Sequence, residues 1–158
     1  MKMQSSSFKG VSFGVTSGVI TTLGLMIGID AGTSSSFAVM LAVITIAFAD
    51  SLSDSLGIHI SEESEKNSMK KIWKATFATF ISKFFFTMTF IIPLLLFDLN
   101  TAMIISIIYG LSLITMISCI IAKKQKENKL SVIIEHVSIT ILVIIVSYFV
   151  GNGLKALA

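Results

Sequence analysis

The sequence predicts an all-α fold: an integral membrane bundle of five transmembrane helices, with the N-terminus in the cytoplasm. Of the 158 residues, 54% are hydrophobic and only 13% are charged, which is more apolar surface than one soluble core of this length would bury. The apolar residues form five stretches of about 20 residues or more. A helix that rises about 1.5 Å per residue needs this length to cross a hydrocarbon core of about 30 Å.

The five predicted spans belong to a single transmembrane domain of residues 1–158, and they cover residues 9–29, 35–60, 72–97, 101–122 and 131–153. Short polar turns follow the first and third spans, as expected where antiparallel helices are joined. The first span continues to Asp30 without a small-residue cleavage site, so we interpret it as a retained helix and not as a secretory signal. Pro93 is expected to kink or shorten the third span near its outer end.

The lysines predict the orientation of the bundle. If five spans alternate, ten of the twelve lysines lie on one side of the membrane, Lys155 lies on the other side and Lys83 lies within a span. The positive-inside rule assigns the lysine-rich side to the cytoplasm and the C-terminus to the outside. A four-span interpretation would need one re-entrant stretch and would lose this partition. The expected location is the cell membrane, as a multi-pass protein.

Several functional classes are excluded by composition and motifs. The net charge is +3, but the lysines cluster between apolar runs and no arginine is present, so nucleic-acid binding is not expected. Cys119 is the single cysteine, which excludes an intrachain disulfide and a thiolate zinc site. We find no glycine-rich phosphate loop, no His-Glu-x-x-His helix and no nucleophile motif with an evident base. Neither an enzyme nor a cofactor is therefore predicted.

The first span carries glycines at a spacing of four, a pattern that lets another helix approach closely within lipid. These glycines are Gly10, Gly14, Gly18, Gly24 and Gly28. The partner of this surface is either another helix of the same chain or a second copy of the chain. The spacing alone leaves both alternatives open.

Ionisable side chains inside membrane spans are costly, and they usually line a cavity or pair with one another. Five such residues occur in this sequence: Asp50, Asp54, Lys83, Glu135 and His136. Asp50 and Asp54 are four residues apart and share one helix face, with Ser53 nearby. Counting from the lysine-rich ends of the spans, all five fall in the inner half of the membrane. There they could form a polar cavity that supplies ligands for a divalent cation or stations for a proton.

Each of these groups also has a structural interpretation. Asp50 and Lys83 can be a buried ion pair that fixes the register of two helices, or Lys83 can extend toward the membrane surface. Glu135 and His136 lie close enough to the start of their helix to be interfacial and solvated.

The acidic run after the second span has two interpretations as well. Glu62, Glu63 and Glu65 can be a solvated connection between helices, or they can attract metal ions at a pore entrance. His59, just before this run, is expected to be an interfacial residue and not a ligand.

Two segments resemble a known family. Residues 13–25, Phe-Gly-Val-Thr-Ser-Gly-Val-Ile-Thr-Thr-Leu-Gly-Leu, are similar to the opening helix of the vacuolar iron transporter family, whose pattern is Phe-Gly-x-Asn-Asp-Gly followed by a hydroxyl- and leucine-rich stretch. Residues 49–65 begin Ala-Asp-Ser-Leu-Ser-Asp-Ser-Leu-Gly and resemble the second helix of that family, which reads Ala-Gly-Ala-Leu-Ser-Met-Ala-Ala-Gly.

The resemblance implies a homodimer that exchanges protons for ferrous or related divalent ions along a path between subunits, lined by the first two helices. The family's acidic residue in helix one falls at Ser17, its methionine in helix two at Asp54 and its glutamate at Ile58. A long metal-binding insertion after the second span is also missing. Asp50 and Asp54 would offer harder oxygen ligands, which favour manganese, magnesium or calcium.

The resulting prediction is a homodimeric transporter in the lipid bilayer, with an iron-like or manganese-like divalent metal ion and the proton as its substrates. Its predicted transport path consists of Ser17, Asp50, Ser53, Asp54, Lys83, Glu135 and His136, and its predicted metal ligands are Asp50, Asp54, Glu62 and Glu65. One alternative is a non-transporting assembly or partner-binding protein whose buried charges are structural. A second alternative is an intramembrane enzyme that uses the two aspartates.

Overall fold

A computed structural model describes residues 6–157 and contains six α-helices and no β-strand in that range. The helices are α1 (Ser6–Thr33), α2 (Ser36–Ser64), α3 (Met69–Thr89), α4 (Ile91–Leu96), α5 (Leu99–Gln125) and α6 (Lys129–Lys155). Helices α3 and α4 together form one apolar span, so five helical segments of the described chain are long and apolar enough to cross a membrane. The all-α prediction with five spans is confirmed. Lys2, one of the lysines used to predict orientation, lies outside the described residues.

Most of the spans extend a few residues beyond their predicted limits, because a helix ends where its backbone is capped and not where hydropathy falls. The Ser35 side chain accepts a hydrogen bond from the Ala38 N–H at the start of α2. Asp98 caps α5 through the Thr101 N–H, and this hydrogen bond lowers the pKa of the Asp98 carboxyl. Capping side chains of this kind satisfy backbone donors that the first helical turn leaves free.

The third span is broken at Phe90, as predicted from Pro93. A proline has no N–H, and its ring conflicts with the carbonyl four residues earlier, which belongs to Thr89. Helix α3 ends at that residue and α4 starts at Ile91, while the Phe90 N–H donates to the Thr87 carbonyl at 3.1 Å. The Thr89 hydroxyl is also engaged, because it accepts a hydrogen bond from the Tyr109 hydroxyl at 2.9 Å.

Helix α1 lies at the centre of the bundle and contacts α2, α3, α5 and α6. Half of the most apolar 18-residue stretch of α1 is buried, which is the largest buried share among the five spans. The corresponding stretch of α6 has the smallest buried share. Val15, Val19, Leu23 and Met26 of α1 belong to the main hydrophobic core. Helix α1 is therefore the element that positions the residues of both polar regions described below.

The glycines of α1 face two other helices of the same chain. Gly10, Gly14 and Gly18 pack against α3, and a Cβ atom placed on Gly14 would lie 2.6 Å from the carbonyl oxygen of Thr79. Gly24 and Gly28 pack against α6, mainly on Val143 and Ser147. The close approach predicted from their spacing is therefore used within the chain.

Candidate functional site

Three ionisable side chains of the spans meet where α1, α2 and α3 pack together. The Lys83 side chain is only 1% exposed, and its Nζ atom lies 2.5 Å from Asp50 Oδ2 and also contacts Asp54 Oδ2. Gly18 of α1 makes room for it, since a Cβ atom at that position would lie 3.1 Å from the Lys83 Cγ. The glycine surface of α1 thus allows a lysine to extend through the helix interface to α2.

Two hydroxyl groups of α1 contact the members of this ion-pair cluster. Ser17 Oγ donates to Asp54 Oδ2 at 2.6 Å and accepts from Lys83 Nζ at 2.9 Å. Thr21 Oγ1 lies 3.2 Å from Asp50 Oδ2, one helical turn further along the same face of α1. The Lys83 cluster, defined as Ser17, Thr21, Asp50, Asp54 and Lys83, therefore presents four oxygen-bearing side chains around one cation.

With its three ionisable groups charged, the cluster carries one net negative charge. The lysine is buried, but the side chains of Asp50 and Asp54 remain 31% and 21% exposed at the surface shared by α1 and α2. Carboxylate oxygens at membrane depth need water, a cation or a polar protein surface, because lipid chains offer no hydrogen bonds. The exposed side of the cluster is therefore the side from which a cation or another protein surface would reach it.

Glu135 and His136 lie in a different region, so the structure joins three of the five predicted ionisable residues and separates two. These two residues line a cavity of about 400 Å³ between α1, α5 and α6, together with Ser12, Phe13, Thr16 and Glu127. Helix α6 packs on α1 and α5 and makes no extensive contact with α2 or α3. Counting residues gives the depth of a side chain in the membrane, but it does not give its position around the bundle axis.

The acidic residues predicted near a pore entrance are held by a lysine of α1. Lys9 Nζ lies 2.7 Å from Glu62 Oε1 and 2.6 Å from Glu65 Oε1, and Asn67 Nδ2 donates to Glu62 Oε2 at 3.1 Å. Glu62 is almost fully buried. The Lys9 hydrogen bond lowers the pKa of the Glu65 carboxyl. This contact ties the beginning of α1 to the end of α2.

Two further predicted residues take no part in the Lys83 cluster. Ser53 lies on the exposed face of α2. His59 Nδ1 is 3.0 Å from Thr76 Oγ1, and its ring packs edge-on against Trp73. This half-buried arrangement agrees with its predicted place near the end of the span.

Metal ligation by the described residues alone is limited. Within residues 6–157, no group of three or more His, Cys, Asp and Glu side chains is arranged to hold a metal ion. In the Lys83 cluster, the position between the two carboxylates is filled by the Lys83 ammonium group. An incoming cation would therefore need this group to move and would need ligands in addition to the two aspartates.

Two residues that contact these acidic side chains, Thr21 and Lys9, were not predicted as site residues from the sequence. Thr21 follows Ser17 by one helical turn, so the shared face of α1 was a signal that could have identified it. In the sequence analysis, Lys9 served only to predict the orientation of the bundle in the membrane. Nothing in the neighbouring sequence indicates that its side chain contacts Glu62 and Glu65.

The five apolar helical segments define the class of protein, which is a multi-pass, helical membrane protein. Comparisons of the chain with protein-family models, curated proteins and solved structures find no match.

Proposed function

We propose that this protein is a transporter of divalent metal ions, exchanged for protons, and that the Lys83 cluster is its substrate site. The observation that carries the proposal is a cation held by two carboxylates and the Ser17 hydroxyl within the membrane spans, with the Thr21 hydroxyl beside one of the carboxylates. Oxygen ligands of this type suit manganese, magnesium and ferrous ions. The lysine-rich end of the bundle then faces the cytoplasm of a cell whose plasma membrane holds the protein.

In this proposal the Lys83 ammonium competes with the transported ion for the same oxygen atoms. A divalent ion that binds Asp50 and Asp54 displaces the ammonium, which sits at the end of a flexible four-carbon chain. Binding changes the net charge of the cluster from minus one to plus one, and charge of this size is costly in a low-dielectric region. Release of one proton would lower the net charge from plus one to zero, and this charge balance is the physical basis for exchange.

The missing ligands are proposed to come from a second copy of the chain. Hard divalent ions take about six oxygen ligands, more than the four side chains of one cluster supply when each binds through one oxygen. Ala49, Ser53 and Gly57 form an exposed small-residue face on α2, and a Cβ atom added to Gly57 would meet no atom within 4 Å. Asp50 and Asp54 are partly exposed beside this face. Dimerisation through α2 would bring two clusters toward each other and place the path between subunits.

One observation favours a second candidate, a non-transporting membrane protein. Lys83 is almost fully buried and contacts both aspartates, so each charged group of the cluster already has an oppositely charged partner. Such a cluster would fix the packing of α1, α2 and α3 without moving any ion.

Uptake of Mn²⁺ and Fe²⁺ into proteoliposomes under an imposed pH gradient tests the proposal. The intact protein should accumulate at least one ion, and the double variant Asp50→Asn, Asp54→Asn should reduce the rate by about tenfold or more, because an amide lacks the carboxylate charge. Asp98→Asn is the matched control, since this carboxylate caps α5 outside the spans and should leave the rate unchanged. Folded intact protein that moves neither ion would support the non-transporting candidate.

A further inference from the structure

We propose that the cavity between α1, α5 and α6, here called the amine cavity, binds a small molecule or headgroup through a primary ammonium group. This inference goes beyond the proposed transport function, because the cavity is separate from the Lys83 cluster. Its volume of about 400 Å³ falls in the lower part of the range of small-molecule sites, about 300–1,000 Å³.

The charge around the amine cavity favours a cation. Within the part of the chain that the structure describes, the titratable side chains that line it are Glu127, Glu135 and His136, and none of these lining residues is a lysine. This absence is informative because lysines are abundant at the same end of the bundle, where Lys123, Lys124, Lys126 and Lys129 flank the connection between α5 and α6. The two carboxylates therefore produce a local negative potential within a positively charged surface.

The hydrogen-bonding groups of the cavity favour a ligand that donates hydrogen bonds. Ser118 Oγ donates its only proton to the Ile114 carbonyl at 2.6 Å, so it accepts the 2.8 Å bond from His136 Nδ1. When neutral, His136 therefore carries its proton on Nδ1 and leaves Nε2 as an acceptor. The carboxylates of Glu127 and Glu135 are acceptors as well. An ammonium group is the complementary ligand, because it has three donors and no acceptor.

Two hydroxyls of the cavity wall add a second, independent observation. Ser12 Oγ and Thr16 Oγ1 are shielded from solvent, and neither has a hydrogen-bond partner among residues 6–157. Buried polar atoms are nearly always hydrogen-bonded, so these two hydroxyls have hydrogen-bonding capacity left for a polar ligand of the cavity. The Phe13 ring, which also lines the cavity, can contact the charged group through its face.

The ligand class is an organic amine and not a bare metal ion. The described residues hold no group of three side chains suited to a metal, and the volume exceeds what one ion needs. A primary ammonium group is found both in soluble amines and in the ethanolamine headgroup of a phospholipid. The cavity lies near the lysine-rich end of the spans, where either source could reach it, so the experiment must distinguish them.

Histidine nuclear magnetic resonance provides a direct test, because the chain has two histidines. Protein labelled with ¹⁵N-histidine is placed in phosphatidylcholine nanodiscs and titrated with ethanolamine. We expect the ring signals of His136 to shift and those of His59 to stay in place, since His59 contacts Thr76 and Trp73 on other helices. Choline should produce at least a tenfold weaker response, because a quaternary ammonium group has no hydrogen-bond donor.

Glu135→Gln should weaken the ethanolamine response by about tenfold or more, because it removes a charge-assisted hydrogen bond. Glu63→Gln is the control, an exposed glutamate on α2 whose loss should change nothing. A His136 shift seen only in nanodiscs that contain phosphatidylethanolamine would assign the site to a lipid headgroup. A shift with free ethanolamine would assign it to soluble amines. The proposal is overturned if neither source shifts His136, or if Glu135→Gln responds like the intact protein.

Discussion

At the scale of single residues, Lys83 is among the largest fully buried side chains of residues 6–157. Its ammonium group has two carboxylates as partners, and removing one member of a buried ion pair leaves the other charges uncompensated. Lys83→Met is therefore expected to lower the free energy of unfolding in detergent by about 3 kcal/mol. Lys74→Met, at an exposed position of the same helix, should change it by less than about 0.5 kcal/mol.

The double variant Lys83→Met, Asp54→Asn separates loss of charge balance from loss of side-chain packing. It restores one net negative charge, so it should be more stable than Lys83→Met alone. Denaturation followed by circular dichroism measures both variants. Equal stability of Lys83→Met and Lys74→Met would mean that the ion pairs contribute nothing to folding.

The sequence could predict part of this site, and the limits are physical. Opposite charges at similar depth made an Asp50–Lys83 pair a plausible expectation, and the geometry contains that contact. The same depth argument grouped Glu135 and His136 with them, but these residues lie at a different position around α1. Depth follows from counting residues along a helix, whereas position around the axis depends on which helices pack together. The packing of α1 against α3 and α6 could not be derived from spacing alone.

At the scale of helices, two glycines of α1, Gly14 and Gly28, differ in how tightly they are packed. A Cβ atom on Gly14 would lie 2.6 Å from the Thr79 carbonyl oxygen, which belongs to the backbone and cannot move easily. A Cβ atom on Gly28 would lie 3.4 Å or more from its nearest neighbours, an ordinary contact distance. We expect Gly14→Ala to cost about 1–3 kcal/mol of stability through overpacking.

Gly28→Ala is the matched control on the same helix and should be tolerated, because it introduces the same methyl group where space exists. Thermal denaturation of both variants in one detergent gives the comparison. An unchanged midpoint for Gly14→Ala would show that α1 and α3 can separate at little cost.

Element boundaries were predictable to within a few residues, and the causes of the differences are local. Pro93 was expected to disturb the third span, and α3 does end before it. The starts of α2 and α5 lie next to Ser35 and Asp98, whose caps are hydrogen bonds and not a property of average hydropathy. Hydropathy therefore located each span, while capping side chains determined where several of the helices begin.

At the scale of the whole molecule, the proposed dimer predicts specific cross-links through α2. Cys119 is the single cysteine, so Cys119→Ser gives a background without thiols. In that background Ala49→Cys, Ser53→Cys and Gly57→Cys are oxidised separately in native membranes. At least one should form a disulfide-linked dimer, since Cα atoms within about 4.4–6.8 Å can be bridged.

Ile134→Cys is the control for this experiment, because it is exposed on α6, away from the proposed interface. It should remain monomeric under the same oxidation. Cross-linking through α6 and through none of the α2 positions would place the subunit contact elsewhere and remove the proposed source of additional metal ligands.

The central position of α1 also has a consequence for biosynthesis. A chain is made from its N-terminus, so α1 is synthesised before α6, yet its Gly24 and Gly28 surface packs on α6. Until residues 129–155 have left the ribosome, that side of the first helix must be covered by lipid, by the insertion machinery or by another nascent chain. The packing of α1 on α6 is therefore completed late, and a stop before residue 129 would leave a membrane-inserted intermediate whose Gly24 and Gly28 surface lacks its partner helix.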